Sequence, residues 1–290
     1  MVKTFNIFNK ISTLRQRYYQ SSIGKDALIK LISEAEISEQ VYNSNAIENS
    51  TLNLEETDKI LLNIDLDRFI SQRELFEAKN LAQVVSYIDK TAKERDLNLE
   101  MILLLHKMLI SNIDDQIAGR FRQNNEYVRV GNYIAPAPQE VINLLEKMLA
   151  DYNANCDQNI IKHIAKLHLI FEHIHPFVDG NGRIGRVINN YLLLRLGYVP
   201  INIKFTDRAK YYQAFKEFDT KGTTAIMEEI VGKALTNSYH KRLAYLEGKK
   251  IITLANYAKE NKLSHSNLLN KANRQTIEAF LEKNIWKIGI

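Results

Sequence analysis

One short segment of the sequence, residues 175–186, concentrates the residue types that phosphate chemistry requires. It reads His-Pro-Phe-Val-Asp-Gly-Asn-Gly-Arg-Ile-Gly-Arg, so an imidazole, a carboxylate, an amide, three glycines and two guanidinium groups lie within twelve positions. His175 titrates near neutral pH and can accept the proton of an attacking hydroxyl group, which makes it the candidate general base. Asp179 offers the hard oxygen ligand that Mg²⁺ takes beside phosphates, so we expect it to be the metal ligand.

Two predicted helices position this segment. Residues 160–174 carry apolar side chains at spacings of three and four, which predicts a helix. Pro176 ends that helix, because proline lacks a backbone donor and disfavours helix at the preceding residue. Residues 184–196 again show a helical pattern, with Gly197 as the expected C-terminal cap.

The turn Gly180-Asn181-Gly182 leads into the N-terminus of the second helix. Unpaired backbone N–H groups and the positive end of the helix dipole converge there, which predicts an anion site. Arg183 and Arg186 lie three residues apart at the start of the helix, so we expect both to reach the same anion. The alternative is a structural corner with a buried histidine and two surface arginines. One Gly-x-Gly would favour that alternative, whereas this whole ordered segment favours a polyphosphate site.

The segment matches, position by position, the signature His-Pro-Phe-x-Asp-Gly-Asn-Gly-Arg-x-x-Arg of Fic-domain proteins. Before it, Gly119-Arg120-Phe121-Arg122 resembles the Gly-Arg-x-Arg that precedes the family's flap hairpin, and residues 192–198 and 208–212 resemble the helices that follow the motif. The likeness covers most of the first 245 residues. It implies an all-α helical bundle with one short β-hairpin flap. It also implies an enzyme that transfers AMP from ATP, with Mg²⁺, to a Ser, Thr or Tyr hydroxyl of a target protein or of itself.

A second, shorter motif lies at the end of a helix predicted over residues 28–49. Ser44-Asn45-Ala46-Ile47-Glu48-Asn49 resembles the Ser/Thr-x-x-x-Glu-Gly/Asn inhibitory motif of Fic proteins. Alone, these positions would indicate only an exposed helix end. Together with the downstream motif, the resemblance implies that Ser44, Glu48 and Asn49 form an inhibitory element in which Glu48 pairs with Arg186. Glu48 would thereby take the guanidinium that should hold the γ-phosphate of ATP, and it could also orient a water for removal of AMP.

A hairpin and a tyrosine pair complete the site that the resemblance implies. Residues 127–134 alternate and are β-prone around a tight turn, which predicts a hairpin. The resemblance makes it a flap that aligns the backbone of the target beside the nucleotide, and a surface hairpin without function is the alternative. The flap residues are Val130, Gly131, Asn132, Tyr133 and Ile134. Tyr211 and Tyr212 fall where family members contact adenosine, although a tyrosine pair on a helix can equally belong to the core.

Composition restricts the class of protein. Apolar residues make up 45% of the chain and charged residues 25%, which is ordinary for a soluble globular protein. We find no apolar run long enough for a membrane helix and no signal-peptide pattern, so we expect no membrane partner and a cytoplasmic location. The single cysteine, Cys156, excludes an intramolecular disulfide and has no partner motif, so we interpret it as neither a metal ligand nor a nucleophile.

Charge is distributed unevenly along the chain. Residues 248–290 hold eight Lys/Arg and three Asp/Glu, a net charge of +5, which equals the net charge of the whole chain. We expect an N-terminal helical region over residues 1–85 with the inhibitory motif, a Fic core over 86–247 and a basic module over 248–290. The module's predicted helix, turn, helix and hairpin resemble an excisionase-like winged helix-turn-helix, so DNA is a candidate partner of residues 249–290. A basic protein-docking appendage is the alternative.

Three functions compete at this stage. AMP transfer follows from the resemblance. Kinase-like phosphotransfer belongs to Fic relatives whose altered anion loop binds the nucleotide in reverse, and the intact Gly180–Gly182 turn with Arg186 argues against it. A DNA-binding regulator that uses the Fic domain as a nucleotide sensor stays open, because the complete set of His175, Asp179 and Arg186 favours retained catalysis without excluding both roles. The target protein, the balance between AMP addition and removal, and the oligomeric state, a homodimer included, also stay open.

Overall fold

The structure is a computed structural model that describes residues 2–130, 133–154 and 159–290, with side chains from residue 7 onward. The described residues form twelve α-helices and five short strands, which confirms the predicted helical fold with few strands. Gly131, Asn132 and Cys156, which the sequence singled out, lie outside the described residues. Within the described ranges, none of the helices combines the length and the apolar character that crossing a membrane requires.

The elements follow one another with short connections. The helices are α1 (Val2–Ser22), α2 (Asp26–Ile47), α3 (Leu54–Leu61), α4 (Gln72–Thr91), α5 (Leu99–Ile110), α6 (Val141–Ala154), α7 (Ile160–Ile174), α8 (Asn181–Arg195), α9 (Arg208–Lys221), α10 (Ala225–Leu246), α11 (Leu254–Glu260) and α12 (His265–Asn273). The strands are β1 (Arg129–Val130), β2 (Tyr133–Ile134), β3 (Ile251–Thr253), β4 (Ala279–Glu282) and β5 (Ile285–Gly289).

The chain divides into two compact units. The larger unit comprises residues 37–198 and 203–228, and the smaller unit comprises residues 1–36, 199–202 and 229–290. The domain boundaries expected after residues 85 and 247 stay predictions.

Helix α8 is the central helix of the larger unit. It packs against α4, α5 and α7, and nearly all of its side chains from Arg183 to Leu194 are buried. Its first turn is polar and its last turns are apolar, so one helix joins the phosphate motif to the core. Helix α4 begins with a capping box, in which the Ser71 side chain accepts from the Glu74 N–H and the Glu74 side chain accepts from the Ser71 N–H.

The C-terminal end of the smaller unit is a small sheet with two helices. The predicted hairpin is present as β4 and β5, and its turn residues Lys283 and Asn284 both have positive φ, as a tight hairpin turn requires. Strand β3 pairs antiparallel with β5, so the sheet order is β3-β5-β4. Sequence patterns did not predict β3, because three residues are too few to show an alternation. Leu254, Ala258, Leu268, Ala272, Ala279 and Ile288 form the buried core of this part.

Candidate active site

The loop between α7 and α8 is a tight turn held by buried hydrogen bonds. His175 caps α7 in the left-handed conformation, with φ of 49°, which non-glycine residues seldom adopt. The Asn181 side chain closes the loop, because its Oδ1 accepts from the Phe177 N–H and its Nδ2 donates to the Phe177 carbonyl, each at 2.9 Å. Gly180 has φ of 82° and caps α8, which therefore begins three residues earlier than the sequence pattern indicated. The first-turn N–H groups of α8 have no intrahelical acceptor and remain for an anion.

A buried histidine of α5 holds this loop from its inner side. The ring of His106 stacks on Phe177 with centroids 3.7 Å apart and 2° between the planes. Gly119 donates its N–H to His106 Nδ1 at 3.0 Å, so the proton of the neutral ring is on Nε2, which donates to the Asp179 carbonyl at 3.0 Å. Burial lowers the pKa of His106 to about 4, which keeps the ring neutral. His106 therefore fixes the backbone of Asp179.

Arg122 joins the loop to the segment that carries the hairpin. Its backbone N–H donates to the Pro176 carbonyl at 2.9 Å, and the residue is only 2% exposed. Its guanidinium donates to four backbone carbonyls, those of His175 (2.7 Å), Pro136 (2.9 Å), Glu126 (3.0 Å) and Ile174 (3.2 Å). The sequence showed Arg122 only as part of a resemblance, and no local pattern reveals that it binds both ends of the hairpin segment and the motif.

His175 is held as a neutral base. A backbone carbonyl can only accept, so the 3.2 Å contact between His175 Nδ1 and the Glu172 carbonyl places the ring proton on Nδ1 and leaves the lone pair on Nε2. Burial lowers the pKa of His175 to about 4, and the backbone hydrogen bond offsets only part of this effect. The ring therefore carries no charge at neutral pH and can accept a proton.

Asp179 lies in an alternating set of charges. Its Oδ1 accepts from the Gly180 N–H at 2.6 Å and from Arg183 Nη2 at 3.3 Å, and its Oδ2 pairs with Arg73 of α4. Glu77 of α4 contacts both Arg73 and Arg183 at 3.0 Å. Burial opposes ionisation of Asp179, but the charges of Arg183 and Arg73 outweigh it and lower its pKa. The sequence did not identify Arg73 and Glu77, whose four-residue spacing is that of ordinary helix-surface pairs.

The donor set at Asp179 fits Mg²⁺ only together with a ligand. The described residues contain no group of three or more His, Cys, Asp or Glu side chains that could hold a metal ion. Mg²⁺ in nucleotide sites is commonly bound by one or two carboxylates, with phosphates and waters completing the octahedron. One ionised, partly exposed carboxylate at the edge of an anion site meets that requirement.

Arg186 lies deep in the site and binds the end of α2. Its Nε donates to Ser44 Oγ at 2.9 Å, its Nη2 donates to the Ser44 carbonyl at 2.8 Å, and its Nη1 is 2.9 Å from Glu48 Oε1. Helix α2 ends at Ile47, two residues earlier than predicted, so Glu48 lies in the turn that follows it. A Cβ atom at Gly182 would overlap Glu48 Oε1, so the carboxylate occupies space directly beside the first turn of α8.

Among the described residues, the two motif arginines pair with different carboxylates. Arg183 pairs with Asp179 and Glu77, whereas Arg186 pairs with Glu48. Asn49 lies next to Glu48 with φ of 70°, and its side chain accepts from Arg208 at 2.5 Å. The structure thus brings the three residues of the predicted inhibitory element close to the anion loop or to α9.

Glu172 is a carboxyl group that the sequence analysis missed. Its side chain is 11% exposed, and its Oε2 is 3.9 Å from His175 Nδ1. Burial, and then the charge of Glu48, raise the pKa of Glu172 to about 8, so it is protonated at neutral pH. Oε1 has no hydrogen-bond partner among the described residues and lies where a Cβ atom at Gly185 would be 2.6 Å away. Within an apolar helix pattern, one acidic residue gives no signal that distinguishes a buried carboxyl from a surface one.

The tyrosine pair divides between core and surface. Tyr211 is 1% exposed, and its hydroxyl contacts His168 Nε2 at 2.7 Å and Arg186 Nη1 at 3.2 Å. Tyr212 is 41% exposed, and its hydroxyl donates to the Ile47 carbonyl at 3.2 Å. The Arg208 guanidinium lies over the Tyr212 ring, 5.3 Å from its centroid. Of the two rings, only that of Tyr212 has a surface that a ligand could contact.

The hairpin is present where the sequence predicted it. Strands β1 and β2 pair antiparallel, with Val130 opposite Tyr133. Val130 and Ile134 are exposed, whereas the Tyr133 hydroxyl contacts His173 Nε2 at 2.7 Å. His173 Nδ1 is in turn 2.9 Å from Asp219 Oδ1, so α7 and α9 both hold the second strand. No sequence pattern indicates this connection.

Part of this site lines a cavity of about 440 Å³, a size that accommodates a nucleotide. Residues 48–51 and the start of α4 form one wall, with Arg73, Glu74 and Glu77. His175 and residues 178–183 form the other wall. The candidate base, the candidate metal ligand, the anion loop and Glu48 therefore all border the same space.

Comparisons with known proteins agree with this arrangement. A sequence profile of the Fic/DOC family matches residues 96–193. A protein adenylyltransferase Fic from Drosophila willistoni is 30% identical over 222 residues, which cover 71% of this chain and 44% of the relative. The chain thus spans less than half of the length of that curated relative.

Two solved structures share the fold. A Fic domain containing signaling protein from Bacteroides thetaiotaomicron has a TM-score of 0.74 at 24% identity, covering 83% of this chain and 97% of its own. A Fic family protein from Desulfovibrio desulfuricans has a TM-score of 0.67 at 20% identity, covering 99% of this chain and 95% of its own. The sequence profile, the curated relative and the fold agree with the motif geometry, and the chain contains a Fic domain of the Fic/DOC family.

Proposed function

We propose that this chain transfers AMP from ATP to a hydroxyl group of a protein. The observation that carries the proposal is the state of His175, a neutral base with its lone pair on Nε2, beside the first turn of α8. His175 takes the proton of the attacking hydroxyl, whose oxygen bonds to the α-phosphorus while the bond to the bridging oxygen breaks and pyrophosphate leaves. The name of the curated relatives, protein adenylyltransferase, supports the same activity.

The residues around the loop bind and orient the nucleotide. The N–H groups of Asn181 and Gly182 bind phosphate oxygens, and Arg183 adds a guanidinium from the same turn. Asp179 would hold Mg²⁺, which when bound neutralises the charge that develops on the leaving pyrophosphate. Arg186 receives the γ-phosphate once Glu48 has moved away, and Tyr212 offers its exposed ring to adenosine.

Glu48 inhibits transfer in this proposal. Its carboxylate is 2.9 Å from Arg186 Nη1 and lies beside Gly182, so the γ-phosphate cannot take the same guanidinium while the pair persists. ATP could still bind the α8 N-terminus, but with the α-phosphate out of line for attack. The same carboxylate could orient a water for removal of AMP, which would make Glu48 a switch between addition and removal.

The partner of the reaction is a protein with an exposed hydroxyl group. An extended segment of that protein pairs with the flap edge at Val130 and Ile134, which are exposed. The chain itself is a second candidate target. A cytoplasmic location and a homodimer are also part of this proposal. DNA binding by residues 249–290 is a separate proposal, supported by the charge of that module.

The test is incubation of the Glu48→Gly variant with Mg²⁺ and ATP labelled at either the α- or the γ-phosphate. Label from the α-position on protein, and none from the γ-position, is the expected result. Label from the γ-position alone would show that the chain carries out the kinase-like reaction and not AMP transfer. The Glu48→Gly, His175→Ala double variant is the matched control, and it should bind ATP without labelling protein.

A further inference from the structure

The second helix of the C-terminal part, α12, presents a face that the rest of the smaller unit does not use. Leu268 and Ala272 of α12 are buried against the small sheet and α11. Four polar residues lie on one side of the helix, away from these two, because they are spaced by three, one and three positions. They are Asn267, Asn270, Lys271 and Arg274. All four are exposed. Their side chains make no hydrogen bond or ion pair with any residue that the structure describes.

The segment that carries this face contains no carboxylate, and the two acids that follow it in the sequence are engaged elsewhere. No Asp or Glu occurs from residue 261 to residue 277. Glu278 is paired with Arg17 at 2.6 Å and with Lys249 at 3.2 Å, and Glu282 is paired with Lys241 at 2.6 Å. The cations of the turn and of α12 are therefore not neutralised by these carboxylates, and the face attracts a polyanion.

The side-chain types on this face are those that read duplex DNA. Asparagine can form two hydrogen bonds with the edge of adenine, and Lys and Arg contact phosphates and guanine. An α-helix fits the major groove, and residues near the N-terminus of a recognition helix reach the base edges. Ser264 caps α12 through the Asn267 N–H, which places Asn267 in the first turn.

We infer that α12 binds in the major groove of duplex DNA. Asn267 and Asn270 contact base edges, and Lys262, Lys271 and Arg274 contact phosphates. This function is separate from AMP transfer and does not depend on it. An acidic protein is the rival occupant. The amide pair favours DNA, because an acidic protein surface would be bound by the cations alone.

The experiment uses the full chain and measures fluorescence anisotropy of a labelled random-sequence duplex across a salt series. The logarithm of the binding constant should fall linearly with the logarithm of the salt concentration, with a slope of about −0.9 for each phosphate contacted. Lys271→Gln and Arg274→Gln should each reduce that slope by about one, and with Lys262→Gln they should abolish binding. Lys93→Gln with Lys147→Gln, two exposed lysines of the larger unit, is the matched control and should leave the slope unchanged.

Sequence readout is tested separately, by selecting bound duplexes from a random pool. Asn267→Ala should weaken binding to a selected sequence by roughly fivefold or more while leaving the salt slope unchanged. Absence of duplex binding at low salt, or binding that the three charge variants do not change, would overturn the inference. Binding of polyglutamate but not of duplex DNA would also overturn it and would support a protein-docking role. Thermal melting of each variant separates loss of binding from loss of fold.

Discussion

Replacement of Glu48 by glycine should raise AMP transfer by more than about tenfold while changing ATP affinity much less. The reason is that Glu48 occupies one group, the Arg186 guanidinium, and does not fill the whole cavity. ATP retains the backbone N–H groups of α8 in both proteins, so its affinity depends little on Glu48. Only the variant lets the γ-phosphate reach Arg186, which sets the direction of the polyphosphate and hence the line of attack on the α-phosphorus.

The magnitude follows from the geometry of the pair. Arg186 Nη1 and Glu48 Oε1 are 2.9 Å apart, and the Arg186 side chain is only 8% exposed. A hydrogen bond to a charged group contributes about 1.5–3 kcal/mol. Since 1.4 kcal/mol corresponds to a factor of ten, the need to break this contact should lower the transfer rate of the parent enzyme by a factor of about 10 to 150. The Glu48 side chain is 34% exposed, so screening by solvent favours the lower end of that range.

The assay is the initial rate of protein labelling from α-labelled ATP at saturating nucleotide, with ATP dissociation constants from calorimetry. Glu48→Gln keeps the size of the side chain and one hydrogen bond without the charge, so its rate should fall between those of the parent and of Glu48→Gly. In an Arg186→Ala background, Glu48→Gly should give no activation. Equal rates for parent and Glu48→Gly on every hydroxyl offered, the chain's own included, would refute the inhibitory role.

Five further outcomes are expected. His175→Ala should retain ATP binding and lose about 10²–10⁴-fold in transfer rate. In the Glu48→Gly variant, the transfer rate should fall on the acid side near pH 4 instead of near 6.5, because burial lowers the pKa of His175 to about 4. Asp179→Ala should abolish Mg²⁺-dependent labelling without changing the helical circular dichroism signal, and labelling that survives a chelator would contradict this role. Arg122→Lys should lower transfer to a protein target by about 10²-fold while sparing ATP affinity, since misplacement by about 1 Å suffices. Glu172→Gln should melt at a higher temperature than the parent at pH 9, because a pKa of about 8 in the folded protein costs stability as the pH rises above the ordinary carboxyl value.

The sequence predicted the helices best where apolar spacing and helix stops agree. Helix α7 has the predicted bounds, 160–174, because its apolar spacing and Pro176 both act locally. The start of α8 was predicted three residues late, because Gly180 and Gly182 break the apolar pattern although Asn181 already begins the helix. Local patterns cannot show that the loop is closed by Asn181, since that depends on hydrogen bonds formed only in the fold.

The site was predicted in its motif and not in its surroundings. The contact between Glu48 and Arg186 could be anticipated only through the family resemblance, because the two residues are far apart in the sequence. His106 and Arg122 act on backbone carbonyls of the motif, and carbonyls carry no sequence signal. Glu172 acts through burial, which depends on the packing of α7 against α8. The sequence therefore identifies the groups that can react, and the packed structure identifies the groups that hold them.

Two carboxyl groups that differ in charge act on Arg186. Glu48 approaches across Gly182 and is a third exposed, whereas Glu172 approaches across Gly185 and is largely buried. After burial, the charge of Glu48 is the next cause that raises the pKa of Glu172, so Glu172 holds its proton while Glu48 is in place. Removal of Glu48 takes away that repulsion and should lower the pKa of Glu172, whereas burial still favours its protonated form. Arg186 keeps its two hydrogen bonds to Ser44 without Glu48. The Glu48→Gly variant should consequently stay folded and active even though it removes the carboxylate next to a buried arginine.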